Sequence, residues 1–241
     1  MKFSLVIHTL NEIEGCKIII PRIDKSLFDE IIVIDGGSTD GTIDFLKKHN
    51  LKVIHQNRKY TKFEITFLKK KITDAYLLGI EHSKNDYVIM PFSPDVNMTP
   101  EKLPDLIEKV REGYEMVIVS RYKDGAKSQD DTLISGFGNW MFTKLVNVFF
   151  GGKFTDLLGG YRCWNKNLLK KLNINIRISI HTQLAIGCIR NNIPYAEIGA
   201  DEPARIGGVS QLNPLINGSW EVITIIEAIF NRGKYKIKDK S

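Results

Sequence analysis

Cysteine is scarce in this chain of 241 residues: Cys16, Cys163 and Cys188 lie far apart and form no CxxC pair. Neither a disulfide framework nor a thiolate zinc site follows, and a reducing, cytoplasmic setting is the expectation. Histidines show no metal-binding spacing, since His8, His55, His82 and His181 each stand alone. No apolar run reaches the roughly 18 residues that a membrane-crossing helix needs. No basic region precedes the first apolar stretch, and Asn11-Glu12 cuts it short, so no signal peptide is expected. GxGxxG and Walker loops are missing, which leaves dinucleotide and ATPase readings without support. A glycine-rich, basic loop at the very N-terminus is also missing, and with it the signal for a sugar-1-phosphate nucleotidyltransferase. The aromatic residues do not interleave with basic ones as a stacking platform for nucleic acid requires, so no nucleic-acid partner is expected. Internal repeats and low-complexity linkers are absent.

What is present describes a globular α/β protein. Hydrophobic residues make up 43% and charged residues 26%, with a net charge of +6 that favours an anionic partner. Short β-branched runs alternate with helical stretches. Phe3–Thr9, Glu30–Ile34, Leu51–His55, Tyr87–Phe92, Met116–Val119 and Tyr195–Ile198 read as strands. Helices are expected after Asn11-Glu12 up to Pro21, from Thr42 through His49, and over Phe63–Ser83, which carries the basic run Lys69-Lys70-Lys71. Further helices are expected over Glu101–Glu112, Leu133–Phe150, Leu168–Leu172, Ile180–Asn191 and Trp220–Phe230. Strand–helix alternation implies a central, mostly parallel sheet flanked by helices. One domain over 1–241 is expected, with a nucleotide-binding half (1–122) and an acceptor half (123–241) ending in a basic tail.

Two stretches carry chemistry. In Asp86–Glu101, DYVIMPFSPDVNMTPE, a buried strand runs into Ser93-Pro94-Asp95-Val96-Asn97 before Pro100 opens a helix. Ligands of open parallel sheets bind at that edge. Asp95 and Asn97 both offer hard oxygens to Mg²⁺ or Mn²⁺, which takes few protein ligands and fills its shell from substrate phosphates. In Asp35–Thr42, DGGSTDGT, an acid at a strand tip meets glycines and a helix start, a common way to hold a nucleotide. Arg121, Arg162 and Arg205 each flank an element end, and arginine's planar fork suits phosphate. Asp156 is a candidate general base, or a turn residue ahead of Leu157.

Together these segments resemble glycosyltransferase family two, with its GT-A fold, and most closely its dolichyl/polyprenyl-phosphate sugar synthase branch. The resemblance rests on LVIHTLNE (5–12), VIDGGSTDGT (33–42), SPDVNMTPE (93–101), SRY (120–122), DLLGGYR (156–162) and RIGGVSQ (205–211), in order across nearly the whole chain. It implies that the first two motifs hold the nucleotide through Thr9, Asn11, Glu12, Asp35, Gly37 and Ser38. It places the family's Asp-x-Asp-x-Gln metal motif on Ser93, Asp95 and Asn97. Arg121, Arg162, Arg205 and Ser210 then resemble the groups that bind donor diphosphate and acceptor phosphate. Departures are Ser93 for the first acid, Asn97 for glutamine, Gly36 for a second aspartate and Gln211 for a lysine.

The resemblance implies an inverting transfer of a sugar from a GDP- or UDP-sugar to a polyprenyl or dolichyl phosphate, assisted by Mg²⁺ or Mn²⁺. Asp95, Asp156, Arg121 and Arg162 are the expected catalytic group. A glycan hydroxyl as acceptor would require a base, with Asp156 as the candidate. The alternative from another class is a non-catalytic nucleotide-sugar-binding protein with a degenerate metal motif. The long apolar helix 133–150 fits either a membrane surface, giving a peripheral protein on the cytoplasmic face, or a packed core or dimer helix.

Overall fold

A computed structural model describes residues 1–66, 70–206 and 214–237. The elements run β1 (Phe3–Thr9), α1 (Ile13–Ile19), β2 (Glu30–Asp35), α2 (Thr42–Lys48), β3 (Lys52–His55), α3 (Lys62–Thr66) and α4 (Lys70–His82). They continue β4 (Tyr87–Phe92), α5 (Leu103–Arg111), β5 (Met116–Ser120), α6 (Leu133–Phe150), β6 (Arg162–Asn165) and α7 (Asn167–Lys171). The last are α8 (Ile180–Arg190), β7 (Tyr195–Gly199) and α9 (Pro214–Phe230).

The strands form one seven-stranded sheet in the order β3-β2-β1-β4-β6-β5-β7. Only β6 runs against its neighbours, pairing antiparallel with both β4 and β5. The other strands therefore end at one common edge, and the register aligns Thr9 with Asp35 and Asp35 with His55. The inner strands β1, β4, β5 and β6 are buried on both faces almost throughout, which explains why β1, β4 and β5 read as continuously apolar, while the edge strands β3 and β7 are only partly covered. Val6, Ile32, Ile34, Val88, Met90 and Trp164 pack with residues of α4, α6, α8 and α9. Leu5, Ile7, Val33, Ile89 and Val117 pack with residues of α1, α2 and α5 on the other side.

Local signals work as expected at several boundaries. Thr132 and Ser135 form a capping box at the start of α6, and Gly151 ends it at φ +80°. Pro21 closes α1 through a short 3₁₀ turn, Ile20–Arg22. The expected helix 63–83 is helical on both sides of residues outside the described set, as α3 and α4. Two other points differ from the sequence reading. Arg162–Asn165 is a strand, hidden in the sequence by its brevity and the preceding glycines. Helix α9 begins at Pro214 rather than Trp220, because proline is well suited to a helix's first turn.

One packing contact sets the position of the loop after β4. A Cβ on Gly15, in α1, would lie 2.0 Å from the Pro94 carbonyl oxygen. The helix backbone and the loop backbone thus touch directly, one residue before Asp95. We expect Gly15→Ala to destabilise the protein by about 2 kcal/mol through overpacking. Urea denaturation measures this, and donor binding should weaken with it as the loop is pushed outward.

Candidate active site

The first loops at the sheet edge are tied to each other. Asp35 is fully buried, and its carboxylate accepts hydrogen bonds from Thr9 Oγ1 (3.1 Å), Gly37 N (2.8 Å), Ser38 N (3.0 Å) and Ser38 Oγ (2.5 Å). Asn11 bridges to the same turn: its N–H donates to Ser38 Oγ at 2.9 Å, and its Oδ1 accepts from Thr39 N at 2.8 Å. Glu12 N donates to Thr42 Oγ1 at 3.0 Å. Thr9, Asn11, Glu12, Asp35, Gly37 and Ser38 are therefore brought together as the sequence suggested. Asp35 nevertheless shapes the turn from inside and presents no free oxygen to solvent. The surface left to a ligand is that of Gly37, Ser38 and the groove beside them. That groove, about 480 Å³, is lined by His55, Gln56, Arg58, Tyr60 and Asp74.

Asp95 lies just past β4 and is 3% exposed. Its Oδ2 meets Arg205 Nη1 at 2.9 Å, and its Oδ1 accepts a long bond from Asn97 N at 3.4 Å. Burial pushes the Asp95 pKa up, while Arg205 and hydrogen bonds from Ser93 and Asn97 pull the other way. Between the two candidate ligands, Val96 holds φ +76°, an unfavourable region for a β-branched residue and a form of strain often found at functional sites. Asn97 donates through Nδ2 to Asp130 at 2.8 Å. Its Oδ1 is buried without a hydrogen-bond partner, as is Glu12 Oε2.

An orphaned amide oxygen beside a buried carboxylate fits a divalent cation that draws its remaining ligands from phosphate. Among the described residues, no group of three or more His, Cys, Asp or Glu is placed to hold a metal by itself. Among the described residues, Asp95 and Asn97 Oδ1 are the candidate ligands that this loop offers.

The arginines divide. Arg121 faces the edge, 18% exposed, with Nε 2.7 Å from Asp156 Oδ2 and Nη2 2.9 Å from Oδ1. Asp131 and Glu202 stand 3.4 Å and 3.6 Å from its Nη1. Burial works against the Arg121 charge, but Asp156 more than offsets it, so its pKa lies above the ordinary value. Arg205 bridges Asp95 and, at 3.6 Å, Asp130. Arg162 is fully buried, and its guanidinium donates to the main-chain carbonyls of Gly159 (2.9 Å) and Leu157 (3.0 Å). It holds the glycine turn from within the sheet and is out of reach of a phosphate. Asp156 is corrected on the same grounds. It is fully buried and both its oxygens are taken by Arg121, so it orients that arginine and is not placed to accept a proton. Ser210 and Gln211 lie outside the described residues.

Two contributors escaped the sequence reading. Glu197, inside β7, accepts from Thr155 N (2.8 Å), Thr155 Oγ1 (2.8 Å) and Asp156 N (3.1 Å). It fixes the turn that carries Asp156; an acid in the middle of the strand YAEIG was the available hint. The pair Asp130-Asp131 neutralises both exposed arginines from the loop before α6. That loop and the segment after β7 are stitched together by Gln129 N to Glu202 O (2.8 Å) and Glu202 N to Lys127 O (2.9 Å). In this arrangement the cleft between Asn97, Arg121, Gly160 and Glu202 is only about 50 Å³.

Comparison with known proteins matches this geometry. Residues 4–173 match the model of glycosyl transferase family 2, and the chain belongs to that family. Its fold is of the GT-A type. Dolichol-phosphate mannosyltransferase of Pyrococcus furiosus is 31% identical over 155 residues, covering 61% of this chain and 38% of that protein. Glycosyltransferase AglJ of Haloferax volcanii is 24% identical, covering 87% of this chain and 66% of its own length. Polyprenol monophosphomannose synthase of Mycolicibacterium smegmatis is 25% identical, covering 98% and 87%. The chain thus spans 38% of the first relative's length and 66% of the second's. A solved structure of glucosyl-3-phosphoglycerate synthase from Mycobacterium tuberculosis, with Mn²⁺, UDP and phosphoglyceric acid, aligns with a TM-score of 0.64. That match covers 99% of this chain and 80% of the other at 19% identity, a likeness of fold.

Glu12 offers a pH test of the site. Its pKa is pushed up to about 7, first by burial and then by the charge of Asp95, with Arg205 opposing. A carboxylate whose folded pKa exceeds its unfolded value destabilises the native state as it ionises. The penalty grows as pH rises from the ordinary carboxylate range and is complete above about 7. Glu12→Gln should therefore melt higher than the wild type near pH 8, and the gap should close towards about pH 5. Thermal unfolding across that range is the measurement.

Proposed function

We propose that this protein transfers a sugar, with inversion, from a GDP- or UDP-sugar to a polyprenyl or dolichyl phosphate. The observation that carries the acceptor is the position of α6. Its N-terminus follows Asp130-Asp131, the acids that pair with Arg205 and Arg121. From there Leu133 (93% exposed), Phe137 (63%), Trp140 (56%) and Val148 (76%) form one outward stripe at three- to four-residue and eight-residue steps. Lys144 lies on the same stripe. Helix α9, in contact with α6, adds Ile223, Ile226 and Phe230 to the exposed apolar surface. The loop that pairs with Arg121 and Arg205 thus runs directly into an apolar stripe, which supports a lipid phosphate as acceptor. The acceptors in the relatives' names support the same reading.

In this reading an oxygen of the acceptor phosphate attacks the anomeric carbon from the face opposite the leaving group. The bond from that carbon to the donor diphosphate breaks, and its electron pair departs on the β-phosphate. The acceptor oxygen is already anionic near neutral pH, so no strong base is needed. This agrees with Asp156 being fully engaged by Arg121, and it disfavours a glycan hydroxyl as acceptor. Arg121, held by Asp156, and Arg205 orient and neutralise the phosphates. The Asp35 turn and the groove at His55 and Gln56 take the nucleoside. A divalent cation on Asp95 and Asn97 would supply charge stabilisation to the departing diphosphate.

None of the described helices is long and apolar enough to cross a membrane. We place the protein peripherally, on the cytoplasmic face, with the stripe against lipid and the net charge of +6 favouring anionic headgroups. The three free, buried cysteines accord with a reducing compartment.

Nucleotide release from a panel of UDP- and GDP-sugars, with Mg²⁺ or Mn²⁺ and with or without polyprenyl phosphate, tests the activity. Release should depend on the lipid phosphate, and Asp95→Ala should lower it about a hundredfold or more. Turnover unaffected by that substitution would end the assignment. Co-sedimentation with anionic liposomes tests the membrane face. Wild type should pellet with the vesicles, and Phe137→Glu/Trp140→Glu should remain in the supernatant while keeping its melting temperature.

A further inference from the structure

Arg205 makes an ion pair that the proposed chemistry cannot tolerate unchanged. Its Nη1 sits 2.9 Å from Oδ2 of Asp95, the carboxylate proposed to take a cation. Its Nη2 points to Asp130, which in turn holds Asn97 Nδ2 and leaves Asn97 Oδ1 buried and without a partner. A guanidinium and a divalent ion repel each other and compete for the same carboxylate. The main chain beside Arg205 is anchored to the loop, because Ile206 N donates to Asp95 O at 3.0 Å. The side chain, 26% exposed, has solvent on one side. It can leave Asp95 without the segment departing.

We infer that Arg205 is an exchangeable internal counter-ion: it neutralises Asp95 in the pairing seen here, and a divalent cation entering with the donor diphosphate displaces it, freeing the guanidinium for acceptor phosphate. This rests on the proposed transferase reading and adds an order to it. Cation and donor load first, and the released arginine then completes the acceptor's binding place. Linkage makes the effect reciprocal: whatever draws Arg205 away from Asp95 tightens the cation, and the cation favours whatever Arg205 binds next.

Mn²⁺ binding followed by electron paramagnetic resonance, without turnover, tests the exchange on the whole chain. The proteins are wild type, Arg205→Gln, Arg205→Lys and Asp95→Asn, each checked for fold by circular dichroism. Mn²⁺ is titrated alone, with UDP or GDP, and with a short-chain polyprenyl phosphate. Arg205→Gln should bind Mn²⁺ about tenfold more tightly than wild type, within the usual range for coupled sites. Arg205→Lys, which keeps the charge, should stay near wild type, and Asp95→Asn should lose the ion. Polyprenyl phosphate should tighten Mn²⁺ in wild type and not in Arg205→Gln. If Arg205→Gln binds equally or more weakly while Asp95→Asn still loses the ion, the exchange is overturned and the metal reading stands. If the Lys variant tightens as much as the Gln variant, the gain comes from a loosened loop and the exchange is likewise overturned. If Asp95→Asn binds Mn²⁺ like wild type, both the exchange and the metal position fall.

Discussion

Carboxylates that accept main-chain N–H groups, buried at Asp35, Asp156 and Glu197 and exposed at Asp40, hold the loops at this sheet edge in place. Asp35 takes Gly37 and Ser38, and Asp40 takes Ile13 and Thr42. Asp156 takes Arg121, and Glu197 takes Thr155 and Asp156. Strands that end together leave their loop amides pointing into partly dry space, where each unpaired group is costly. A carboxylate satisfies such amides with charge-assisted bonds and brings negative charge to the edge. That charge then requires cations, and Arg121 and Arg205 supply them. The pairing of acids and arginines at this edge thus begins as a problem of backbone satisfaction.

The sequence and the structure agree where the relevant physics is local. Strand tips, the acid of Asp35, the proline after Asp95-Val96-Asn97 and the apolar span Leu133–Phe150 are all readable from neighbouring residues. The readings that failed depend on pairing between distant segments. Arg162 looks like a phosphate clamp in the motif DLLGGYR. Only the insertion of β6 between β4 and β5 turns its fork inward to the carbonyls of Leu157 and Gly159. Asp156 looks available until Arg121, thirty-five residues earlier, takes both of its oxygens. Glu197 belongs to no motif at all, and its role exists only because β7 lies beside β5. Gly15 is unremarkable in a list of helix residues, yet it lets the loop at Pro94 seat on α1.

The two halves of the molecule meet through charge as well as through the sheet. The loop before α6 contributes Asp130 and Asp131 to arginines from β5 and from the segment after β7, and it then becomes the capped start of the apolar helix. Any orientation that α6 takes against a surface is passed directly to Arg121 and Arg205, which pair with that loop. A lipid-linked acceptor would meet its polar and apolar recognition elements in one continuous stretch of chain. Trp140 and Phe137 have rings 5.7 Å apart; Phe137 adds apolar area, and the Trp140 indole adds the polar N–H suited to such an interface.

The contact of Gly15 with the Pro94 carbonyl joins backbone to backbone. It defines where residue 95 sits without reference to the chemistry of its flanking side chains. Under the proposed metal reading, serine at 93 and asparagine at 97 would alter the hardness and charge around a cation while the carboxylate keeps its station. The location of such an ion and the choice of ion would then be separate variables, and a lineage could retune the second without rebuilding the first.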